Sequence, residues 1–216
     1  MRPRLAIRYA IEGDLRFISH QDSLRFFQRA TARAGIPIRY SEGFNPRPKI
    51  SIAMPRPVGV ASQDELLVVE LTSDLDPEEF SKRLSAQLPE GIRIKSAIRL
   101  NDQDRCRPVE VEYGVALEAN ESDDAQRADD VRRAAETLMA SPTHVVERPG
   151  PRGERARKLD IRPFLLRVDV VNDELVWSQS VSQDGTARVS EVLEGFGLSG
   201  RDWMHRVVRK RAIFRN

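Results

Sequence analysis

Three arginines, Arg25, Arg29 and Arg33, recur every fourth residue. On a helix that spacing lines up one face. A row of guanidiniums presents fork-shaped donors that match phosphate oxygens, although the same row also reads as a solvated face. A loop follows, Tyr40-Ser41-Glu42-Gly43-Phe44-Asn45-Pro46-Arg47-Pro48-Lys49. Its residue types fix or permit turns, and Pro46 and Pro48 confine Asn45 and Arg47 to extended or turn conformations. The loop is therefore expected to be stiff, with Tyr40, Glu42, Phe44, Asn45, Arg47 and Lys49 as candidate binding residues. Tyr40 and Phe44 have a second reading, as pins that hold the loop to the core. A further basic stretch, Arg148 to Lys158, is rich in Pro and Gly and reads either as a mobile phosphate-gripping arm carrying Arg152, Arg155, Arg157 and Lys158 or as a solvated insertion. The C-terminal Arg206, Arg209, Lys210, Arg211 and Arg215 add positive charge, with alternation placing Arg209 and Arg211 on one face. Against these stands an acidic block, Glu118 to Asp130, suited to steering anions away or docking a basic partner.

Catalytic signatures are sparse. The chain has three histidines, His20, His144 and His205, and none has metal-ligand spacing with another. His20 is the outside candidate for a general base in metal-free RNA cleavage. No phosphate-binding loop, nucleophile elbow or dinucleotide fingerprint occurs. A single cysteine, Cys106, excludes an internal disulfide and a cysteine-held metal cluster. Lying beside Arg105 and Arg107, it reads as an incidental thiol or a reactive one. With 35 basic and 33 acidic residues, the net charge of +2 decides little, and the distribution of charge matters more. No apolar run approaches the ~18–20 residues of a membrane span. The N-terminal MRPRLAIRYAIEGD lacks a secretory core, so a cytoplasmic protein is expected.

The elements that must position these residues follow from the pattern. Leu5 to Ala10 alternates as a strand ending at the Glu12-Gly13-Asp14 turn. Ser19, followed by Asp22, caps a helix whose carboxylate is expected to reach back to a free N–H. Leu24, Phe27, Thr31 and Ala34 form its inner stripe, Gly35 its left-handed end and Pro37 its stop. Ile50 to Ile52 opens a strand, bent at Pro55 and Pro57, and Leu66 to Leu71 reads as a buried central strand. Asp76-Pro77-Glu78-Glu79 starts a second helix, stopped by Pro89-Glu90-Gly91, and Ile92 to Leu100 is the closing strand.

After a polar linker at 101–108, a similar order recurs. Strand Val109–Leu117 and a helix over Asp123–Ala140, with Val131, Ala134, Ala135 and Leu138 inside, come first. Three β-rich runs follow at Thr143–Val146, Phe164–Val171 and Leu175–Val181, then a short helix Val189–Phe196 and a strand over Trp203–Phe214. The expected fold is α+β: two tandem ferredoxin-like (βαββαβ) units, antiparallel sheets with helices on one face, spanning 1–100 and 109–216.

The stretches FISHQDSLRFFQRA (Phe17 to Ala30), AGIPIRYSEGFNPRPKIS (Ala34 to Ser51) and PVGV (Pro57 to Val60) closely resemble the radical-SAM-linked protein family, a bacterial domain of unassigned function. The resemblance is sharp over about the first hundred residues and looser at KLDIRP (Lys158 to Pro163) and the basic end. It implies a module encoded beside, or fused behind, a cobalamin-binding radical SAM enzyme, often near RNA-processing genes, and it carries no catalytic residues across. The cluster-binding cysteines of such an enzyme are missing here, so that enzyme is expected to act in trans. The resulting expectation is a cofactor-free accessory module that presents RNA or an RNA-containing assembly. The alternatives are a metal-independent endonuclease using His20 and a protein scaffold that touches no nucleic acid.

Overall fold

The computed structural model describes residues 2–117, 124–149, 155–183 and 185–215. The chain is a mixed α/β protein in two compact units, Met1–Pro108 with Arg211–Asn216, and Val109–Lys210. Six strand pairs among the described residues run antiparallel.

In the first unit, β1 (Arg4–Ile11) alternates so that Leu5, Ile7, Tyr9 and Ile11 face one side. It pairs with β3 (Ala61–Glu70), Ile7 opposite Leu67, and with β4 (Ile92–Leu100), Ile7 opposite Ala97. The short β2 (Ile50–Ile52) adds to the far edge of β3, giving the order β4-β1-β3-β2. α1 (His20–Arg33) and α2 (Pro77–Ser85) bury Phe27, Ala30, Phe80 and Leu84 in the same core as Leu5, Ile7, Leu67 and Val69. The α2 start is as its sequence dictates. Asp76 accepts from the Glu78 and Glu79 N–H groups at 2.9 and 3.4 Å, and Pro77 takes the first turn. The opposite sheet face buries Ala6, Leu66 and Val68 with Cys106, beside Phe214. Both faces of β3 are covered, which is why its sequence is a continuous apolar run rather than an alternation. On this second face Arg8 pairs with Asp64 at 2.8 Å. The two side chains hold one residue of the returning chain end, Arg8 donating to the Ala212 carbonyl and Asp64 accepting from its N–H.

A 3-10 turn at Gly13–Phe17 joins β1 to α1, and Arg56 organises it. Arg56 is only 8% exposed. Its guanidinium donates to the carbonyls of Arg16 (2.6 Å), Leu15 (3.3 Å), Ile18 (3.4 Å), Pro57 (3.3 Å) and Val60. A buried cation is tolerable where carbonyl dipoles replace its hydration. Gly59 N–H adds a main-chain bond to Arg16 O at 2.8 Å. The Pro55–Val60 bend and the entry to α1 are thereby one piece.

In the second unit, β5 (Arg107–Ala116) and β9 (Glu174–Ser180) pair with Tyr113 opposite Trp177. Those rings stack at 5.3 Å, and Phe196 meets Trp177 edge-on at 6.0 Å. β8 (Leu165–Val171) forms a hairpin with β9 through Asn172 and Asp173, whose φ values of 48° and 56° suit the two central positions of a type I′ turn. α3 (Asp124–Ala140) buries Val131, Ala135 and Leu138 as expected, with Ala134 half-buried. α4 (Val189–Gly195) and a one-turn α5 (Gly200–Trp203) follow, and with β10 (Val207–Arg215) the strand order is β10-β5-β9-β8.

Three details depart from the sequence expectation. Val145–Arg148 (β6) does not join the larger sheet. It pairs with Arg157–Asp160 (β7), Val145 opposite Asp160, in a separate hairpin. Little of β6 is buried besides Arg148, so it has no apolar face to offer a core. The flanks of the basic stretch are therefore strands rather than a loop. The last strand, β10, runs Val207–Arg215 and starts late, because residues 200–206 are helical. The boundary between the units falls inside it.

Replacing Arg56 by Met is expected to cost roughly 2–5 kcal/mol, because several buried carbonyls lose their donor. The exposed Arg25→Met control should stay within about 0.5 kcal/mol. Urea denaturation of the two variants checks this, and equal midpoints would contradict the bracing role.

Candidate functional site

The site is built on α1. Its first turn is held by Ser19, whose Oγ accepts the Asp22 N–H at 3.1 Å and donates to the Asp22 carboxylate at 2.7 Å. The carboxylate thus accepts a hydrogen bond from the cap's hydroxyl and not from the free N–H that the sequence pattern suggested. Phe27, Ala30 and Thr31 are buried, Leu24 and Ala34 partly so. Ala34 caps the helix end and Gly35 follows at φ 61°. Arg25, Arg29 and Arg33 all lie on the exposed side. Arg25 touches Asp22 at 3.4 Å, an exposed pair worth little. Arg33 donates to the Gln87 side chain and carbonyl, each at 3.2 Å. Arg29 has no hydrogen-bonded or ionic partner among the described residues.

The loop that follows owes its shape to main-chain pairing. Tyr40 and Pro48 form an isolated antiparallel bridge. Ser41 N–H donates to Arg47 O at 2.8 Å, and Arg47 N–H donates to Ser41 Oγ at 2.9 Å. Below this closure, Arg39 N–H donates to Glu70 O, Lys49 N–H to Arg39 O and Glu70 N–H to Lys49 O, at 2.8, 2.8 and 3.0 Å. The loop is therefore rooted on β3, and its far end runs into β2, which packs beside α1. At the tip, Glu42, Gly43, Phe44, Asn45 and Pro46 are exposed, with Gly43 at φ 120°. Phe44 is exposed over its whole side chain and Tyr40 over half. Neither is a pin in the core, so that reading is set aside. Arg47 and Lys49 are likewise exposed.

Arg39, which the sequence reading passed over, orders the tip. Its side chain is 19% exposed and bridges Glu70 (Nη1 to Oε2, 3.3 Å) and Glu42 (Nη2 to Oε1, 3.0 Å). Nothing in the residue type distinguished it or Arg56 from surface arginines, since arginine defaults to solvent. The available signal was position: Arg39 directly precedes the loop, and Arg56 sits between two prolines.

The other candidates lie apart from this surface. His20 is half-buried at the first position of α1, and no described residue hydrogen-bonds to its side chain. Among the described residues, no group of three His, Cys, Asp or Glu side chains is placed to hold a metal ion. Cys106 is buried, and burial pushes its thiol pKa up despite the nearby Arg4 and Arg8, which is the character of an inert thiol. Of the second basic stretch, Arg155, Arg157 and Lys158 are exposed, the last two on β7, while Arg152 lies outside the described residues.

Several charges read as free turn out to be structural. Arg148 forms a buried two-pronged pair with Glu191 (2.6 and 2.7 Å) and donates to Thr186 O at 2.8 Å. Arg209 is fully buried against Tyr113, and Lys210 crosses Gly114 to Glu174 at 2.6 Å. A Cβ on Gly114 would lie 2.4 Å from Lys210 Cε and 2.8 Å from Glu174 Oε1, so a larger residue there would push the far ends of that pair aside. Arg206 stacks over Trp203, its guanidinium carbon 4.9 Å from the ring centroid. In the acidic block, Asp129 and Asp130 pair with Arg132 and Arg133 one turn on, which removes the uniformly negative face over the described part.

Burial by itself would raise the Glu191 carboxyl. The Arg148 hydrogen bonds, the Arg188 N–H and the two positive charges outweigh it, and the pKa lies below the usual carboxylate value. Arg148 is raised in turn, chiefly by its hydrogen bonds to Glu191. A depressed folded-state pKa means that the pair stabilises fully above the ordinary Glu value of about 4.3 and fades as pH falls through the lower folded value. The gap in urea midpoint between the native chain and Glu191→Gln is expected to narrow over that acid range; a pH-independent gap would contradict the pairing.

No helix among the described residues is long and apolar enough to cross a membrane. No curated protein matches the chain. Residues 4–191, which include α1, the exposed loop and the Arg56 brace, match the family described as an uncharacterized protein conserved in bacteria (DUF2344), and the chain belongs to that family.

Proposed function

We propose that this chain is a non-catalytic recognition module whose first unit binds RNA, or an RNA-containing assembly, for a cobalamin-type radical SAM enzyme acting in trans in the cytoplasm. The observation that carries the RNA reading is Phe44, a wholly exposed aromatic on a tip closed by main-chain bonds, in the same unit as the exposed row Arg25, Arg29 and Arg33. Single-stranded RNA is bound by that combination elsewhere: bases stack on aromatic faces while guanidiniums and ammoniums meet phosphates. Arg47 and Lys49 extend the positive charge along the loop itself.

The fold reading behind this is two ferredoxin-like units in tandem. Its support is the element order β-α-β-β-α-β of the first unit with strand order β4-β1-β3-β2. The matching order β10-β5-β9-β8 of the second supports it too, with the β6–β7 hairpin as an insertion. Small sheets of this topology bind single strands in other proteins, which is an argument by analogy. The enzyme partnership rests on the resemblance of the Phe17-to-Val60 motifs and on the single cysteine, which is too few to hold the enzyme's own cluster.

Fluorescence anisotropy with labelled single-stranded RNA tests the module. Binding is expected at low salt, with log affinity falling against log salt at a slope of roughly −2 to −4. Reversing Arg25, Arg29 and Arg33 to Glu should abolish measurable binding. Phe44→Ala should cost about 1–3 kcal/mol and leave the slope in place. Absence of binding to any cellular RNA at low salt removes the RNA reading. Anaerobic pull-downs that never recover a radical SAM protein remove the partnership.

A further inference from the structure

We infer that the Tyr40–Lys49 tip selects an unpaired guanine, read at its Watson–Crick edge by the Glu42 carboxylate while the base stacks on Phe44. This deepens, and rests on, the RNA reading above.

Glu42 is an odd residue for an anion-binding loop. It stands among Arg39, Arg47 and Lys49, where a carboxylate weakens attraction for phosphate. It is not needed to neutralise Arg39, because Glu70 already pairs with that guanidinium at 3.3 Å. Yet Glu42 is held: Arg39 Nη2 donates to its Oε1 at 3.0 Å, and Arg39 is itself fixed by main-chain bonds on both sides. The carboxylate is 90% exposed, and its Oε2 has no partner among the described residues. A carboxylate has about four lone-pair sites, so one bond from Arg39 leaves both oxygens able to accept more. The result is an oriented, acceptor-only group facing solvent, two residues from a fully exposed ring in a tip closed between Ser41 and Arg47.

Base chemistry identifies the ligand. A carboxylate with both oxygens available pairs best with two adjacent N–H donors. Guanine alone presents them, N1–H beside the N2 amino group. Adenine and cytosine each offer one amino donor next to an acceptor nitrogen. Uracil offers one N–H between two carbonyls, which a carboxylate repels. Stacking on Phe44 does not discriminate between bases, so Glu42 supplies the choice. Asn45, exposed on the same tip, has an amide able to donate to the guanine carbonyl O6.

The test uses the full chain and 5′-labelled ten-nucleotide uridine strands with one central guanosine, adenosine, cytidine, inosine or 7-deazaguanosine. The guanosine strand should bind about five- to a hundredfold more tightly than the uridine-only strand, as one two-bond base contact gives. 7-Deazaguanosine should match guanosine, since its Watson–Crick edge is intact. Inosine, which lacks the 2-amino group, should fall between guanosine and uridine. Glu42→Gln should equalise the strands, the guanosine strand losing its advantage while uridine-strand affinity holds or rises as the carboxylate's repulsion is lost, and its exposed position predicts an unchanged melting curve. Free guanosine monophosphate should not displace the strand at equal concentration; if it did, the site would belong to a free nucleotide and the inference would fall. Equal affinity for guanosine and uridine strands, or a preference that survives Glu42→Gln, overturns the guanine inference and leaves RNA binding standing. No binding of any strand overturns both.

Discussion

A guanidinium with almost no access to water holds the first unit in register. Arg56 reaches five carbonyls spread over Leu15 to Val60, and each exchanges a hydration bond for a fixed one. The desolvation penalty of a buried cation is large, so this geometry persists only while the carbonyls stay in place. That constraint runs both ways. It fixes the 3-10 turn at Gly13–Phe17, the turn sets where Ser19 can cap, and the cap sets the phase of α1. The outward row of arginines is therefore positioned by an inward one.

The same economy recurs. Arg39 braces the tip between two carboxylates, Arg148 ties the β6 hairpin to α4 through Glu191, and Arg8 with Asp64 holds Ala212. A nearly neutral chain of 35 basic and 33 acidic residues thus divides its cations by task. Some close the framework. Others, such as Arg29, Arg47 and Lys49, remain exposed. Buried pairs of this kind contribute little net stability compared with apolar packing, but breaking one leaves a stranded charge, so they enforce a single arrangement.

How much of this was legible in the sequence depended on which forces were local. The α1 cap at Ser19, its end near Gly35, the Asp76-Pro77 start of α2 and the span of β4 are all visible, because capping and turn preferences act within a few residues. The solvent-facing character of the arginine row follows from the position of Phe27 and Thr31 on the other side. The work of Arg39, Arg56 and Arg148 was invisible, because partners such as Glu70 and Glu191 lie 31 and 43 residues away. The β6–β7 hairpin was missed for a related reason. Pattern identifies a β-rich run, but not which neighbour completes its hydrogen bonds. In β10 the grouping of Arg209 with Arg211 did not foretell their burial, since Arg209 is buried and Arg211 exposed. The burial phase slips along that strand near the point where it passes from one unit to the other.

The loop's stiffness was anticipated from Pro46 and Pro48, but the larger cause is the ladder from Ser41–Arg47 down to Glu70. This difference bears on the proposed binding. Prolines restrict the two residues before them, whereas a ladder sets the whole tip against a strand buried on both faces. A preordered tip loses little conformational entropy on contact, so the proposed stacking on Phe44 would reach affinity with less offset against it. The guanidinium row obeys a different law. At physiological ionic strength charges are screened beyond about 8 Å, so its contribution shrinks with salt. Ring stacking on the tip does not depend on salt in this way. Under the proposed function, a surface with both parts would discriminate strands by their exposed bases, and by their phosphates only at close contact. That division is what a module needs if it must release whatever lacks an unpaired base.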